Sequence, residues 1–171
     1  ADVGAHRLSY LSQNDTIMWT VEADPLLRST IVGIALLDHL PDHREVERRV
    51  RRAIDNVAAL RSTVVKAPLH PTTLQWSTVD HIDLGHHLRH VVLPAPGSFE
   101  QLLDVARAAA ASGFDRDRPL WEFTLVEGLD DPSVPGGARA AFITKAHHVV
   151  TDGIGAVQLA ANLFDLVADP D

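Results

Sequence analysis

Hydrophobic and polar positions along this chain switch between two periods, and the switches outline its elements. Thr30 to Leu37 is a mostly apolar run rich in β-branched side chains, which predicts a buried strand. After Pro41-Asp42, with Glu45 placed as in a capping box, Val46, Val50, Ala53, Ile54 and Val57 fall on one stripe of a helix. Arg44, Arg48, Arg49, Arg51 and Arg52 lie off that stripe, interleaved with Glu45 and Glu47, as on a solvated face. Ser62 to Lys66 and Leu74 to Val79 predict two short strands around a loop at Pro68 and Pro71, and His87 to Leu93 predicts another. Ser98 and Gln101 form a second capping-box pattern, ahead of Phe99, Leu102, Leu103, Ala106 and Ala110 on one helical face, and Gly113 ends that helix. Trp121 to Glu127 and Arg139 to Ala146 alternate as strands. The Gly- and Pro-rich stretch 128–137 joins them, so they are expected to be adjacent and antiparallel. A last helix is expected from Gly153 to Val167, with Val157, Ala160, Ala161 and Phe164 on its apolar stripe. This order predicts an α/β (α+β) layered fold, helices against a sheet.

Composition narrows the classes of function. A chain of 171 residues predicts one domain with room for a proper core. Hydrophobic residues at 46% and charged residues at 22% are globular values and exclude disorder for the bulk. Fifteen basic against 23 acidic side chains leave a formal charge of −8, so no basic excess exists for phosphates and nucleic acid is not an expected partner. The absence of Cys removes disulfides, thiolate zinc sites and thiol nucleophiles. No apolar run approaches the roughly 18–20 residues that cross a bilayer. Residues 1–13 do not show the basic and then apolar order of a signal peptide.

The chemically informative segment is Lys145-Ala146-His147-His148-Val149-Val150-Thr151-Asp152-Gly153, where a buried strand gives way to a helix. If the strand persists through the pair, His147 and His148 point to opposite faces, one inward and one toward a cavity. Asp152 is expected near a helix N-terminus, where unpaired amides stabilise a carboxylate, and Gly153 permits a tight bend or a close approach of substrate. A histidine so held suits general-base work, because the ordinary imidazole pKa of about 6.5 leaves it largely neutral at cytosolic pH. No Ser or Cys lies nearby in an elbow motif, so direct transfer is favoured over an acyl-enzyme. His147, His148 and Asp152 have the chemistry of metal ligands, but adjacent histidines on a strand diverge and no third convergent ligand is near. His81, His86, His87 and His90 lack regular ligand spacing and read as a polar loop; no metal is expected. His147 to Asp152 also has the His-x4-Asp spacing of glycerol-phosphate acyltransferases, from which the second His and the trailing Gly depart.

Residues 147–153 resemble the HHxxxDG motif of the condensation-domain and CoA-dependent acyltransferase superfamily. Within it, the surroundings resemble the bacterial wax ester synthase/diacylglycerol acyltransferase family. Pro119-Leu120-Trp121-Glu122 is similar to that family's PLW motif, and Phe114-Asp115-Arg116-Asp117-Arg118 to the stretch before it. Asp83-Leu84 through Arg89, then Leu93-Pro94-Ala95-Pro96-Gly97, resembles its "DL..H…LP.PG" region, and Leu8-Ser9 with Asp15 its "LS..D".

The resemblance implies a chloramphenicol-acetyltransferase-like half-domain, a two-layer sandwich with a mixed sheet flanked by helices. It implies an acyl-CoA-dependent O-acyltransferase forming wax esters or triacylglycerol from a fatty alcohol or diacylglycerol, with acyl-CoA as co-substrate and no cofactor. A condensation-type enzyme with a carrier-protein donor and a non-catalytic lipid-binding remnant are the alternatives. His148 would be the general base, His147 mainly structural, Asp152 a support for the loop, and Gly153 the opening of the channel. Many members follow DG and one residue with Ser-Gly, whereas this chain has Gly155-Ala156. Pro119, Leu120 and Trp121 would bind substrate, although bulky residues opening a strand more often pack a core. Arg118 has Asp115, Asp152 or solvent as its options. Residues 1–168 would be the N-terminal acyltransferase domain and 169–171 the start of a linker, with the C-terminal half absent and an exposed apolar face where it docks. Alone, the chain is expected to be inactive. A cytoplasmic protein with peripheral contact at membranes or lipid inclusions is implied.

Overall fold

A computed structural model describes residues 10–22, 24, 27–68, 70–150 and 163. Its centre is a mixed sheet of four strands in the order β1-β6-β5-β4, where β1 is Thr30–Leu37, β4 Leu88–Val92, β5 Trp121–Glu127 and β6 Ala140–His147. β6 runs antiparallel to both β1 and β5, whereas β4 runs parallel to β5. The expected adjacency of β5 and β6 is present, in register from Trp121 opposite Ala146 to Glu127 opposite Ala140. A separate antiparallel hairpin joins β2 (Ser62–Ala67) and β3 (His70–Thr78).

Because side chains alternate across a strand, the central strands serve two cores. Trp121, Phe123 and Phe142 face one side. There they pack with Val46, Val50 and Ala53 of α2 (His43–Asn56) and with Leu60 and Val64. The rings interlock, with centroids 4.6 Å apart for Trp121 and Phe123 and 5.5 Å for Phe123 and Phe142. Val126, Ala141 and Ile143 face the other side, against Leu102 and Ala106 of α4 (Phe99–Ala111). Each fully buried aliphatic side chain of this kind contributes about 1.5–3 kcal/mol. Helices thus flank both faces of a mixed sheet, and the α/β expectation holds.

Both helix starts are capped as their sequences indicate. Asp42 accepts from the amides of Arg44 and Glu45, and Ser98 exchanges the two reciprocal bonds of a capping box with Gln101. The differences from the sequence reading are local. α1 (Gln13–Val21) has no buried residue, so no apolar stripe announces it; Ser12 caps it by accepting from the Asp15 amide. β3 begins at His70, within the expected loop, and α3 (Leu84–His87) takes the first residue of the expected fourth strand. Asp83 accepts from the Gly85 amide and turns the chain there. β6 ends at His147, and His148–Val150 forms a 3-10 turn in place of continued strand. The expected helix from 153 to 167 lies outside the described residues except for Leu163, which is buried in the α2-side core.

Candidate active site

The sheet places the two histidines differently. On β6, Ala141, Ile143, Lys145 and His147 share one face by the period of two. His147 is completely buried and closes the strand, its amide donating to the Leu120 carbonyl at 3.0 Å. His148 opens the 3-10 turn and is exposed, while its amide donates to the Ser29 carbonyl at 2.8 Å. Val149 and Val150 beyond it are buried again. An exposed imidazole is therefore held between buried anchors on either side, with its backbone tied to the residue that precedes β1.

The ring of His147 is fixed at both nitrogens. Its Nδ1 accepts from the Val149 amide at 3.1 Å, and its Nε2 lies against the Glu22 carboxyl group. An Nδ1 that accepts leaves the proton of the neutral ring on Nε2, which faces the Glu22 carboxyl group. Trp19 and Phe114 meet the same ring edge-on, with centroids 6.0 and 6.2 Å away. Burial, reinforced by the Arg116 and His148 charges and opposed by Asp15, depresses the pKa of His147 to about 4. Burial raises that of Glu22, while Arg116, Arg28 and Lys145 act in the opposite direction.

Cationic groups surround the pair. The Arg116 guanidinium lies 4.4 Å from the Trp19 ring centre and donates to the Trp19 carbonyl at 2.9 Å. Lys145, 1% exposed, donates to Ser112 Oγ at 2.8 Å and to the Gly113 carbonyl at 3.3 Å. It also meets Glu122 Oε1 at 3.4 Å and lies over the Phe114 ring at 4.2 Å. Burial lowers the Lys145 pKa, against the pull of Glu122. Sequence reading missed Glu22, Trp19, Phe114 and Lys145 as members of this environment. A lysine inside an apolar strand, opposite a glutamate on its neighbour, is the signal in the sequence that could have found Lys145.

The remaining predicted residues are dispersed. Asp152 and Gly153 lie outside the described residues. Leu120 and Trp121 are in the core, where Trp121 Nε1 donates to the Leu60 carbonyl at 2.8 Å. Pro119 is buried too and borders a polar cavity of about 420 Å³ together with His81, Asp83 and Arg118. Arg118 takes Asp115 as its partner at 3.2 Å, with Asp83 at 3.8 Å. His87 is buried against Trp121, to whose carbonyl its Nδ1 donates at 2.7 Å, while His90 pairs with Glu127 at 2.9 Å. Among the described residues no group of three His, Asp or Glu converges as metal ligands do.

The chain is thus an α/β fold with helices on both faces of a mixed sheet and with a buried and an exposed histidine at a strand end. The chain belongs to the family described as wax ester synthase/diacylglycerol acyltransferase catalytic domain, whose pattern matches residues 7–171. A Mycobacterium tuberculosis protein named for diacylglycerol O-acyltransferase activity is 36% identical over 156 residues, which are 91% of this chain and 30% of that one. The wax ester synthase/diacylglycerol acyltransferase of Marinobacter aquaeolei VT8 superposes with a TM-score of 0.68 at 27% identity, over 89% of this chain and 37% of the other. The starter condensation domain of rhizomide synthetase, in a complex with C8-CoA, shares the fold at 17% identity and a TM-score of 0.68, over 90% of this chain and 33% of that one. The chain spans about a third of the length of these relatives.

Proposed function

We propose that this chain carries the general base of an acyl-CoA-dependent O-acyltransferase and that His148 is that base. The observation that supports this most is the exposure of His148 immediately after the buried, doubly fixed His147, at the family's HHxxxDG position. In the proposed reaction His148 takes the proton of an acceptor hydroxyl, on a fatty alcohol or a diacylglycerol. The oxygen attacks the thioester carbonyl of acyl-CoA and forms the new C–O bond. The C–S bond then breaks, and the departing CoA thiolate recovers the proton from the imidazolium.

Under this reading His147 holds the turn, Asp152 supports the loop that follows and Gly153 leaves room for the chain of the substrate. Leu120 and Trp121 serve substrate binding indirectly, by fixing the strand whose Leu120 carbonyl receives the His147 amide. The opposite wall, with much of the CoA site, is assigned to a second half of the enzyme. Location follows the substrates: cytoplasmic, in peripheral contact with membrane or lipid inclusions. No helix among the described residues is long and apolar enough to cross a membrane.

The test is thiol release and ester formation by the chain together with its proposed second half. His148→Ala is expected to lower kcat by about 100- to 10 000-fold, the usual contribution of a general base. Near-normal ester formation by that variant overturns the proposal. A donor accepted only from a carrier protein points instead to condensation-type chemistry. Lipid binding without thiol release points to a non-catalytic module.

A further inference from the structure

Glu22 belongs to no motif segment quoted above, yet its carboxyl group lies against the buried ring of His147, next to His148. It caps the C-terminal end of α1, its amide donating to the Met18 carbonyl at 3.3 Å, and its side chain is 8% exposed. The facing oxygen of Glu22 and His147 Nε2 are both buried and lie against each other, and neither has a hydrogen-bond partner elsewhere among the described residues that would compete for the contact. The opposite nitrogen of the same ring receives the Val149 amide. The imidazole of His147 is thus strung between the end of α1 and the backbone immediately after His148.

We propose that Glu22 is a positioning residue for His148, acting through the Nε2–H tautomer of His147. With the proton on Nε2, Nδ1 is free to accept from Val149, and that bond closes the turn on which His148 stands. With the proton on Nδ1, the ring would offer a donor to the Val149 amide, itself a donor, and the turn would lose its closing bond. The Glu22 carboxylate selects the first arrangement because, ionised, it can only accept. Arg116 keeps this end of α1 in place: it donates to the Trp19 carbonyl and covers the Trp19 ring, which in turn packs against His147. A link therefore runs from α1 through His147 to the turn of the proposed base, although Glu22 itself touches no reacting atom.

The inference rests on the reading of His148 as base, and its test separates the two. Nitrogen NMR of the full chain, labelled at histidine, reads the tautomer without any turnover. The expected result is a protonated Nε2 and an accepting Nδ1 for His147. Glu22→Ala is expected to shift His147 toward a mixture of tautomers, whereas Glu22→Gln, which still offers an oxygen, retains the native one. In the presence of the proposed second half, Glu22→Ala is expected to lower kcat by up to about 100-fold, as small misplacements of a reacting group do, with KM for acyl-CoA nearly unchanged. Glu22→Gln should recover most of that loss. A protonated Nδ1 on wild-type His147, or a Glu22→Ala chain with native tautomer and native kcat, overturns the inference. A His148→Ala enzyme of normal activity overturns the reading of the base and leaves the tautomer result standing on its own. Should Glu22→Ala fail to fold, the wild-type and Glu22→Gln spectra decide.

Discussion

Lys145 and Glu122 stand directly opposite one another on β6 and β5, with ammonium and carboxylate 3.4 Å apart on the sheet face that also carries His147. Removing one member strands the other charge in a poorly solvated place, whereas removing both does not. Glu122→Leu is therefore expected to cost about 3 kcal/mol, and the double variant Glu122→Leu/Lys145→Met distinctly less. Urea unfolding of the two variants checks this; equal losses would show that the pair is not coupled.

The unlike burial of the neighbouring histidines predicts a division between stability and turnover. His147→Ala removes a buried ring and leaves the inward oxygen of Glu22 unpaired, which should cost about 3 kcal/mol. His148→Ala alters an exposed side chain and should stay within about 0.5 kcal/mol of the wild type. Thermal unfolding of both chains decides. A large loss for His148→Ala would mean that its side chain is structural and that its effect on catalysis needs another explanation.

Much of the fold was legible because its signals are local and periodic. The alternation in β5 and β6, the stripe of α2 and the two capping sequences depend on neighbours a few residues apart. The site was legible only where a short motif carries it, at His147 and His148. Glu22 and His147 are distant in sequence, and Lys145 depends on Ser112 and Gly113 from the end of another element. Such contacts arise from how α1 and α4 settle on the sheet, which hydrophobic periodicity does not encode. α1 gives no apolar stripe because none of its residues is fully buried, and only its cap marks it. The strand ends at His147, one residue past the expected Ala146, and the bond from the His148 amide to the Ser29 carbonyl that turns the chain there is a backbone bond, which periodicity does not encode.

Gly97 explains why one motif segment has its form. It adopts φ +73°, and a Cβ there would run into the carbonyl oxygen of Gly128, while the Gly97 carbonyl accepts from the Asp130 amide at 2.8 Å. The Pro94 to Gly97 turn is thereby sealed against the loop after β5. Gly97→Ala meets both left-handed strain and a backbone clash and is expected to cost more than about 2 kcal/mol. Gly136 has nearly the same φ, +74°, with open space around it, so Gly136→Ala should lose only about 1 kcal/mol. Paired unfolding measurements separate strain from clash; equal costs would remove the clash from the account.

The buried histidine also fixes the direction of one pH dependence. His147 holds its pKa at about 4 in the fold, against 6.5 when solvated, so between those values the unfolded chain binds a proton that the folded chain does not. Its contribution is fully present above pH 6.5 and drains away as the pH falls toward 4, amounting to about 3 kcal/mol over the whole interval. The raised carboxyl of Glu22 acts with the opposite sign, since the fold takes up that proton before the unfolded chain does, and this offsets part of the loss. His147→Gln keeps a donor for Glu22 but cannot titrate. Its stability should therefore fall less steeply than that of the wild type between pH 6.5 and 4, as measured by urea midpoints at half-unit steps. Parallel curves for the two chains would mean that the fold does not depress the pKa of His147.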